Sequence, residues 1–227
     1  MIDFIFEGCC TSAADAVTAQ RSGAARVELC VQLDIGGVTP PESLVRQTLL
    51  DLAEDALAAR KAPARVNVLV RPRGGDFVYS EDEILETLEG IKMCKGLSVN
   101  DSAGMIHHVN GVVVGALRPD GQVDMAAIRR LVDAARPLQV TFHRAFDECA
   151  DVDRALEDVI ALGCDRLLTS GHAPDAFEGR FTLARLVRRA AGRIVILAGC
   201  GVRPRNIAAI ASVSGAPEFH SSTLTGW

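Results

Sequence analysis

The chain has 227 residues, of which 48% are hydrophobic, 4% aromatic and 23% charged. The length suits one domain, and the composition is that of a folded α/β protein, which excludes a disordered or fibrous chain. A formal net charge of -5 without any basic run disfavours a nucleic-acid partner, and no apolar stretch is long enough for a membrane span.

The N-terminus and the cysteines indicate a cytoplasmic protein. The first apolar residues follow no basic stretch and are too few for a signal peptide. Seven cysteines, an odd number, are scattered through apolar segments and do not resemble a disulfide framework. We therefore expect reduced thiols in a cytosol.

Short β-branched runs alternate with helical patterns along the chain, as in a parallel sheet with crossover helices. The predicted strands are Ile2–Glu7, Arg26–Cys30, Val66–Arg71, Gly111–Leu117, Leu138–His143, Asp165–Thr169, Arg193–Ala198 and Glu218–Ser222. Most are apolar at both parities, which indicates burial on both faces. Eight such strands predict a single-domain TIM-type (β/α)8 barrel over residues 1–227 rather than a doubly wound sheet.

The connecting segments carry helix boundaries. Ser80 begins a capping box, and Pro204 suits the first turn of a helix that runs to about Ser212. Gly23 and Gly163 each end a helix just before a strand. The long polar segment Lys95–Asn110 predicts a surface insertion, in which His107 and His108 form a solvated pair.

The last strand is predicted to lack a following helix, because the chain ends at Trp227, seven residues after His220. An uncovered strand would expose apolar surface. We therefore expect another subunit or an N-terminal element to cover it, and predict a homo-oligomer, with a dimer as the favoured form.

Polar side chains share one parity near the carboxyl ends of the predicted strands, where barrels carry their sites. They are Glu7, Cys9, Glu28, Cys30, Arg71, Thr141, His143, Thr169, His220 and Ser222. Charged groups are costly to bury without partners. Two interpretations remain open: a ligand pocket, or a satisfied ion-pair network that merely plugs the barrel.

Loops after the strands add anion-binding features. Arg71 and Arg73 flank a diglycine turn and can grip a carboxylate or phosphate. Gly199 and Gly201 follow the seventh strand, where barrel enzymes often hold phosphate, although tight turns alone explain such glycines equally well. The other predicted ligand-binding residues are Asp76, Arg144, Asp147, Thr169, His220 and Ser222.

Cys9 and Cys30 form the other candidate site. They end adjacent strands, about 4.8 Å apart, so two inward thiols could bridge a soft ion such as Cu(I). They could also form a disulfide, or simply pack as small hydrophobes. Cys10 has the opposite parity, and Cys94, Cys149, Cys164 and Cys200 are assigned to the core or to loops. No organic cofactor is predicted.

Several segments together resemble the CutC family. They are Val27–Cys30, Arg71–Ser80, Thr141–Asp147 and Leu168–Gly171, and the similarity extends to Ser222. The resemblance implies a TIM-type barrel and a role in copper homeostasis. It also implies that Cys9 and Cys30 hold copper. Family members usually continue beyond the segment that ends at Ser222, whereas this chain stops at Trp227.

Two functions remain as hypotheses. The first is a cytosolic copper-binding protein in which Cys9 and Cys30 hold Cu(I). The alternative is a lyase-, isomerase- or hydrolase-like barrel enzyme that acts on a small anionic or phosphorylated metabolite. In it, acid–base work falls to Glu7, Glu28 or His143, while Arg71 and Arg73 orient the anion. A scaffold without ligand chemistry ranks last, because it leaves the buried charges unexplained.

Overall fold

A computed structural model describes residues 4–226. Its strands are β1 (Ile5–Cys10), β2 (Arg26–Leu29), β3 (Arg65–Leu69), β4 (Ser98–Asn100), β5 (Ile106–His108), β6 (Gly111–Val114), β7 (Gln139–Phe142), β8 (Arg166–Thr169), β9 (Val195–Ala198) and β10 (Glu218–Ser221). The helices are α1 (Ala13–Arg21), α2 (Glu42–Ala59), α3 (Glu81–Gly96), α4 (Met125–Ala135), α5 (Val152–Ala161), α6 (Arg180–Ala190) and α7 (Ile207–Ser214). No helix in this part of the chain is long and apolar enough to cross a bilayer.

Eight parallel strands close in the order β1-β10-β9-β8-β7-β6-β3-β2, which confirms the TIM-type barrel. Within residues 4–226, no helix follows β10. Every residue of β2 and β6 is buried, because the barrel interior covers one face and helices cover the other. The register places Glu7 beside His220 and Cys9 beside Glu28, so polar side chains from β1, β2 and β10 meet inside the barrel.

Several predicted boundaries were wrong; the strand predicted over Gly111–Leu117, for example, ends at Val114. The first strand does not end at Glu7, because Gly8, Cys9 and Cys10 pair with β2; the predicted residues Ile2 and Asp3 lie outside the described residues. The last helix begins at Ile207 rather than around Pro204.

The residues just before α7 form a turn, and side-chain hydrogen bonds hold it. The Asn206 side chain accepts from the Arg203 amide and donates to the Gly201 carbonyl. These bonds satisfy backbone groups locally, so the helical ladder starts later than the sequence suggested.

Residues 95–110, predicted as a surface insertion, form regular structure outside the barrel sheet. It contains the end of α3 and the antiparallel pair of β4 and β5. The prediction of a solvated histidine pair was wrong for His107, whose Nε2 lies 2.9 Å from Asp101 Oδ2 in a half-buried position, whereas His108 is exposed. Backbone pairing and one side-chain contact therefore order a segment that reads as polar loop.

The helix boundaries around α1, α3 and α5 agree with the sequence. Ser80 forms a complete capping box with Glu83. Gly23 and Gly163 follow α1 and α5 with φ of +95° and +77°, a left-handed conformation that glycine adopts without steric cost.

The outer face of β10 is partly covered by the chain itself. Phe219 is fully buried, and the Phe4 ring packs edge-on against it with 5.5 Å between centroids. Leu224 lies near the backbone of Gly8 on β1. Homo-oligomerisation stays a prediction, and light scattering coupled to size-exclusion chromatography measures it; a strictly monomeric particle would contradict it.

Candidate ligand and metal site

A cavity of about 920 Å³ opens at the carboxyl end of the barrel. Among its lining residues are the predicted Cys9, Glu28, Cys30, Arg71, His143, Arg144, Asp147, Gly201, His220 and Ser222. The cavity is large enough for an organic ligand, because typical small-molecule sites span about 300–1,000 Å³. Strand parity therefore located most of the lining correctly.

Six predicted residues do not line this cavity: Glu7, Arg73, Asp76, Thr141, Thr169 and Gly199. Arg73 turns to Glu83 and Asp76, so it is not placed to orient a ligand in the cavity. The Gly199 amide donates to the Thr169 carbonyl, so that N–H is not available to a phosphate.

The interior parity assigned to Thr169 was wrong. Arg166 and Leu168 face the barrel interior. Because neighbouring residues of a strand point to opposite faces, Thr169 faces away from the interior. Its hydroxyl donates to Asp147 and accepts from the Gly171 amide.

Below the cavity lies a buried ion network inside the barrel. Arg26 donates to Glu7 and Glu218, and Arg166 donates to Glu218 and to Gln139. This network matches the ion-pair interpretation of the sequence, in which paired charges fill the barrel without binding a ligand. It includes Glu7 but not the charged residues of the cavity.

Glu7 is a paired group rather than a free base. One carboxylate oxygen accepts from Arg26, and the other lies 2.7 Å from His220 Nδ1. Burial alone raises the pKa of this carboxyl, but the Arg26 charge and the His220 hydrogen bond outweigh burial and hold the pKa at about 2. Because Glu7 is ionised and engaged on both oxygens, an acid–base role on a ligand does not fit it.

Glu28 differs from Glu7 although both are buried carboxyls. It lines the cavity, and its Oε2 has no hydrogen-bond partner among the described residues. Burial raises its pKa to about 7. A carboxyl that exchanges its proton near neutral pH is suited to acid–base chemistry or to a ligand contact.

Cys9 and Cys30 meet at the cavity, with 4.0 Å between their sulfurs. The hydrogen bond between them and burial raise the pKa of the Cys9 thiol. Ligand atoms of Cys9, Glu28 and His220 lie within 4.8 Å of one another. Cys30, Glu28 and His220 thus each place a donor atom within 4.8 Å of the Cys9 sulfur, and these four residues are called the donor cluster.

His220 is oriented by the ion network. Its Nδ1 bonds to Glu7, which leaves Nε2 for a ligand. Burial lowers the pKa of this imidazole, but the Glu28 charge and the contact with Glu7 outweigh burial and raise it. In metal sites, the ring nitrogen of a histidine that does not bind the metal is often hydrogen-bonded to a carboxylate, which orients the imidazole.

His143 is held in a single neutral form. Its Nδ1 accepts from the Ala145 amide at 3.1 Å, so a neutral ring carries its hydrogen on Nε2. Burial and the nearby Arg71 charge lower its pKa to about 3. At neutral pH, His143 therefore acts as a hydrogen-bond donor, which replaces the acid–base role predicted for it.

Space for the His143 ring depends on Gly115. A Cβ at Gly115 would lie 2.4 Å from His143 Cε1 and Nδ1. No side chain fits there while the imidazole keeps its place. The glycine marks a close approach that one sequence alone does not reveal.

Asp147 and Arg144 also line the cavity. Their ion pair spans 2.9 Å, and Asp147 also accepts from the Ser170 and His172 amides. Sequence reasoning had named Asp147 and Arg144 but missed His172, Phe77 and Arg203, which line the cavity as well. Their loop positions follow no strand parity, so no periodic pattern could have identified them.

The remaining cysteines lie outside the donor cluster. Cys10, Cys94, Cys149 and Cys164 pack in the core, and Cys200 is in a loop at the cavity wall. Within residues 4–226, all seven cysteines are free thiols.

Comparison with known proteins identifies close relatives. The sequence profile of the CutC family matches residues 4–225. A relative from Parabacteroides distasonis, named as a family protein CutC, is 46% identical over 218 residues, which cover 96% of this chain and 82% of the relative. A protein of the same name from Chromobacterium violaceum is 43% identical over 221 residues, covering 97% of this chain and 81% of the relative.

Solved structures agree with this assignment. CutC from Streptococcus agalactiae, described as a candidate copper homeostasis protein, superposes with a TM-score of 0.83 at 28% identity over 98% of this chain and 100% of its own. An aldolase superposes with a TM-score of 0.65 at 12% identity, over 98% of this chain and 91% of its own. The second similarity shows the shared barrel alone.

Proposed function

Because this chain belongs to the CutC family, we propose that it takes part in copper homeostasis by binding Cu(I) at Cys9 and Cys30. The observation that carries the proposal is the pair of buried free thiols at the cavity, with sulfurs 4.0 Å apart. Soft thiolate ligands favour Cu(I), and a reducing cytosol keeps both the ion and the thiols in the required state.

The sulfur separation suits a shared ion with a third ligand. If each metal–sulfur distance is roughly 2.3 Å, as in zinc thiolates, the sulfur–metal–sulfur angle at an ion bound by both thiolates is about 120°. Such an angle leaves room for one more donor. His220 Nε2 is the candidate, because the imidazole belongs to the donor cluster and Glu7 already holds Nδ1.

The test is an anaerobic Cu(I) titration against a competing chelator. The double variant Cys9→Ser, Cys30→Ser is expected to lose more affinity than the roughly 10–100-fold that removal of an outer-shell partner costs. Cys200→Ser is the matched control, because Cys200 lines the same cavity outside the cluster. Unchanged affinity in the double variant would remove this site.

The proposed binding should strengthen as pH rises. The pKa of the Cys9 thiol is raised, so Cu(I) must displace a proton from it at neutral pH. Each displaced proton increases the measured affinity about tenfold per pH unit. Chelator competition at several pH values between 6 and 8 measures this slope, and a flat profile would contradict thiolate ligation.

A second candidate function is binding and conversion of a small anionic metabolite. The cavity volume of about 920 Å³ exceeds what a single ion needs, and Phe77, Leu168 and Ile35 add apolar walls. The raised pKa of Glu28 makes it the best-placed acid–base group of the three predicted. Gly201 lines the cavity, and the phosphate position predicted near it stays a prediction.

Mass spectrometry of small molecules released from the native protein tests this second function. We expect an anionic compound at a substantial fraction of one equivalent, lost in a Glu28→Gln variant that still folds. Bound oxyanion density near Gly201 in crystals would favour a phosphorylated compound. Purified protein that carries metal but no organic molecule under any growth condition would argue against this function.

A further inference from the structure

Three arginines are nearly fully buried in residues 4–226, and one of them differs from the others. Arg26 and Arg166 are 2% and 6% exposed, and both pair with Glu218. Arg71 is 4% exposed and makes no ion pair with any carboxylate in the described chain. A buried cation without a counter-charge is costly, and structural arginines normally avoid that state.

Neutral groups fix Arg71 in place without neutralising it. Its guanidinium donates to the Gly37 carbonyl at 3.2 Å and to the Gly75 carbonyl at 2.7 Å, and lies 4.6 Å from the centre of the Phe77 ring. Its Nε has no hydrogen-bond partner within residues 4–226, and the nearby Tyr79 hydroxyl stays neutral because burial raises its pKa. The cation is therefore pre-positioned at the cavity wall without a direct ion pair in the described chain, because Asp76, the carboxylate that it influences, is paired with Arg73.

His143 stands beside this cation as a donor of fixed direction. Its ring centre lies 5.0 Å from that of Phe77, which also contacts Arg71. The Ala145 amide occupies Nδ1, and the Nε2 hydrogen has no partner among the described residues. A positive charge and an unused neutral N–H thus flank one aromatic ring.

We propose that Arg71 and His143 form a subsite for a carboxylate group of a small organic ligand, with Phe77 as its apolar floor. The inference rests on the second candidate function and names the chemical class of its ligand. The subsite uses none of the sulfurs of Cys9 and Cys30. Cu(I) and the carboxylate would therefore be bound by separate parts of one cavity.

The donor set fits a carboxylate better than a phosphate or a neutral group. One cation and one neutral N–H, set against an aromatic ring, match a planar group with a single negative charge. A phosphate carries a charge of about -1.5 to -2 and three acceptor oxygens, which call for more donors than this wall offers. A neutral amide would leave the Arg71 charge uncompensated.

The experiment uses the full chain with four probes: malonate, succinate, malonamide and inorganic phosphate. Titration calorimetry measures affinity, and a long-range ¹H–¹⁵N spectrum follows the imidazole of His143. We expect the two dicarboxylates to bind and to shift the His143 Nε2 resonance, whereas malonamide and phosphate leave it unchanged. Arg71→Met and His143→Leu should each weaken dicarboxylate binding about 10- to 100-fold.

Further variants separate binding from folding. His143→Gln keeps an N–H donor near the Nε2 position and should restore part of the affinity that His143→Leu loses. Gly115→Ala should weaken binding by displacing the imidazole. Arg118→Met removes an exposed arginine paired with Asp120 and should bind as the unaltered chain does. Melting curves of every variant report whether it folds.

Absence of dicarboxylate binding at millimolar concentration would overturn the subsite. So would Arg71→Met and His143→Leu variants that fold and bind dicarboxylates with unchanged affinity. If phosphate or malonamide binds the cavity instead, or the native protein releases a ligand without a carboxylate, the second candidate function survives and this inference fails. Retention of dicarboxylate binding in Cys9→Ser, Cys30→Ser is expected, and its loss would contradict the separation from the metal cluster.

Discussion

Glu218→Gln is expected to lower the free energy of unfolding by about 3–5 kcal/mol, the largest change among the substitutions considered. Glu218 is the carboxylate shared by Arg26 and Arg166 inside the barrel. Its removal leaves Arg26 with Glu7 alone and Arg166 with only the Gln139 amide. A buried charge that loses its partner costs far more than the pair contributed. Urea unfolding at neutral pH measures the effect.

Glu81→Gln provides the matched control for Glu218→Gln. Glu81 also contacts an arginine through two hydrogen bonds, from Arg130, but on the exposed surface. Water replaces both bonds there, so the stability should change little. Equal effects of the two substitutions would show that the interior network is solvated and does not hold the barrel together.

Glu28→Gln is expected to stabilise the folded protein above neutral pH by about 3 kcal/mol, while it removes the cavity carboxyl. Burial raises the pKa of Glu28 from 4.5 to about 7. The folded state therefore retains a proton that the unfolded chain releases. That contribution to stability is fully present below pH 4.5 and is lost as the pH rises through about 7. A neutral glutamine does not incur this loss.

Paired denaturation curves between pH 5 and pH 8 check the effect of Glu28→Gln. The raised pKa of His220 changes stability in the same direction at the upper end of this range. Because the Glu28 charge contributes to that raised pKa, the difference between the two proteins reports the Glu28 carboxyl together with its effect on His220. Glu7, whose pKa is about 2, titrates well below the range. A stability difference that stays constant from pH 5 to pH 8 would mean that burial does not shift Glu28.

Opposite results for Glu218 and Glu28 would separate the two interpretations of the polar strand ends. A satisfied plug predicts that every buried carboxyl stabilises the barrel. The structure divides them, because Glu7 and Glu218 are paired, whereas Glu28 Oε2 has no hydrogen-bond partner in the part of the chain that the structure describes. Retained stability together with lost ligand binding is the usual mark of a residue kept for function.

The sequence by itself determined the architecture and the end of the barrel that carries the cavity. A chain with eight short apolar runs separated by helical patterns can form few compact folds. Among them, a closed parallel barrel buries both faces of every strand. Alternation along each strand then placed Glu28, Cys30 and His143 on the interior face, where they line the cavity. Burial and side-chain direction alternate with the two-residue period of a strand, so they can be read from the sequence.

Only the tertiary structure decided which polar groups are satisfied. Glu7 and Glu28 are the same residue type on adjacent strands, yet of these two carboxyls only Glu7 bonds to His220 and pairs with Arg26 in the described chain. The form of His143 depends on the Ala145 amide and on the space at Gly115. Which polar groups pair depends on strand register and on contacts between residues far apart in the chain. Hydrophobic periodicity reports neither the register nor those contacts.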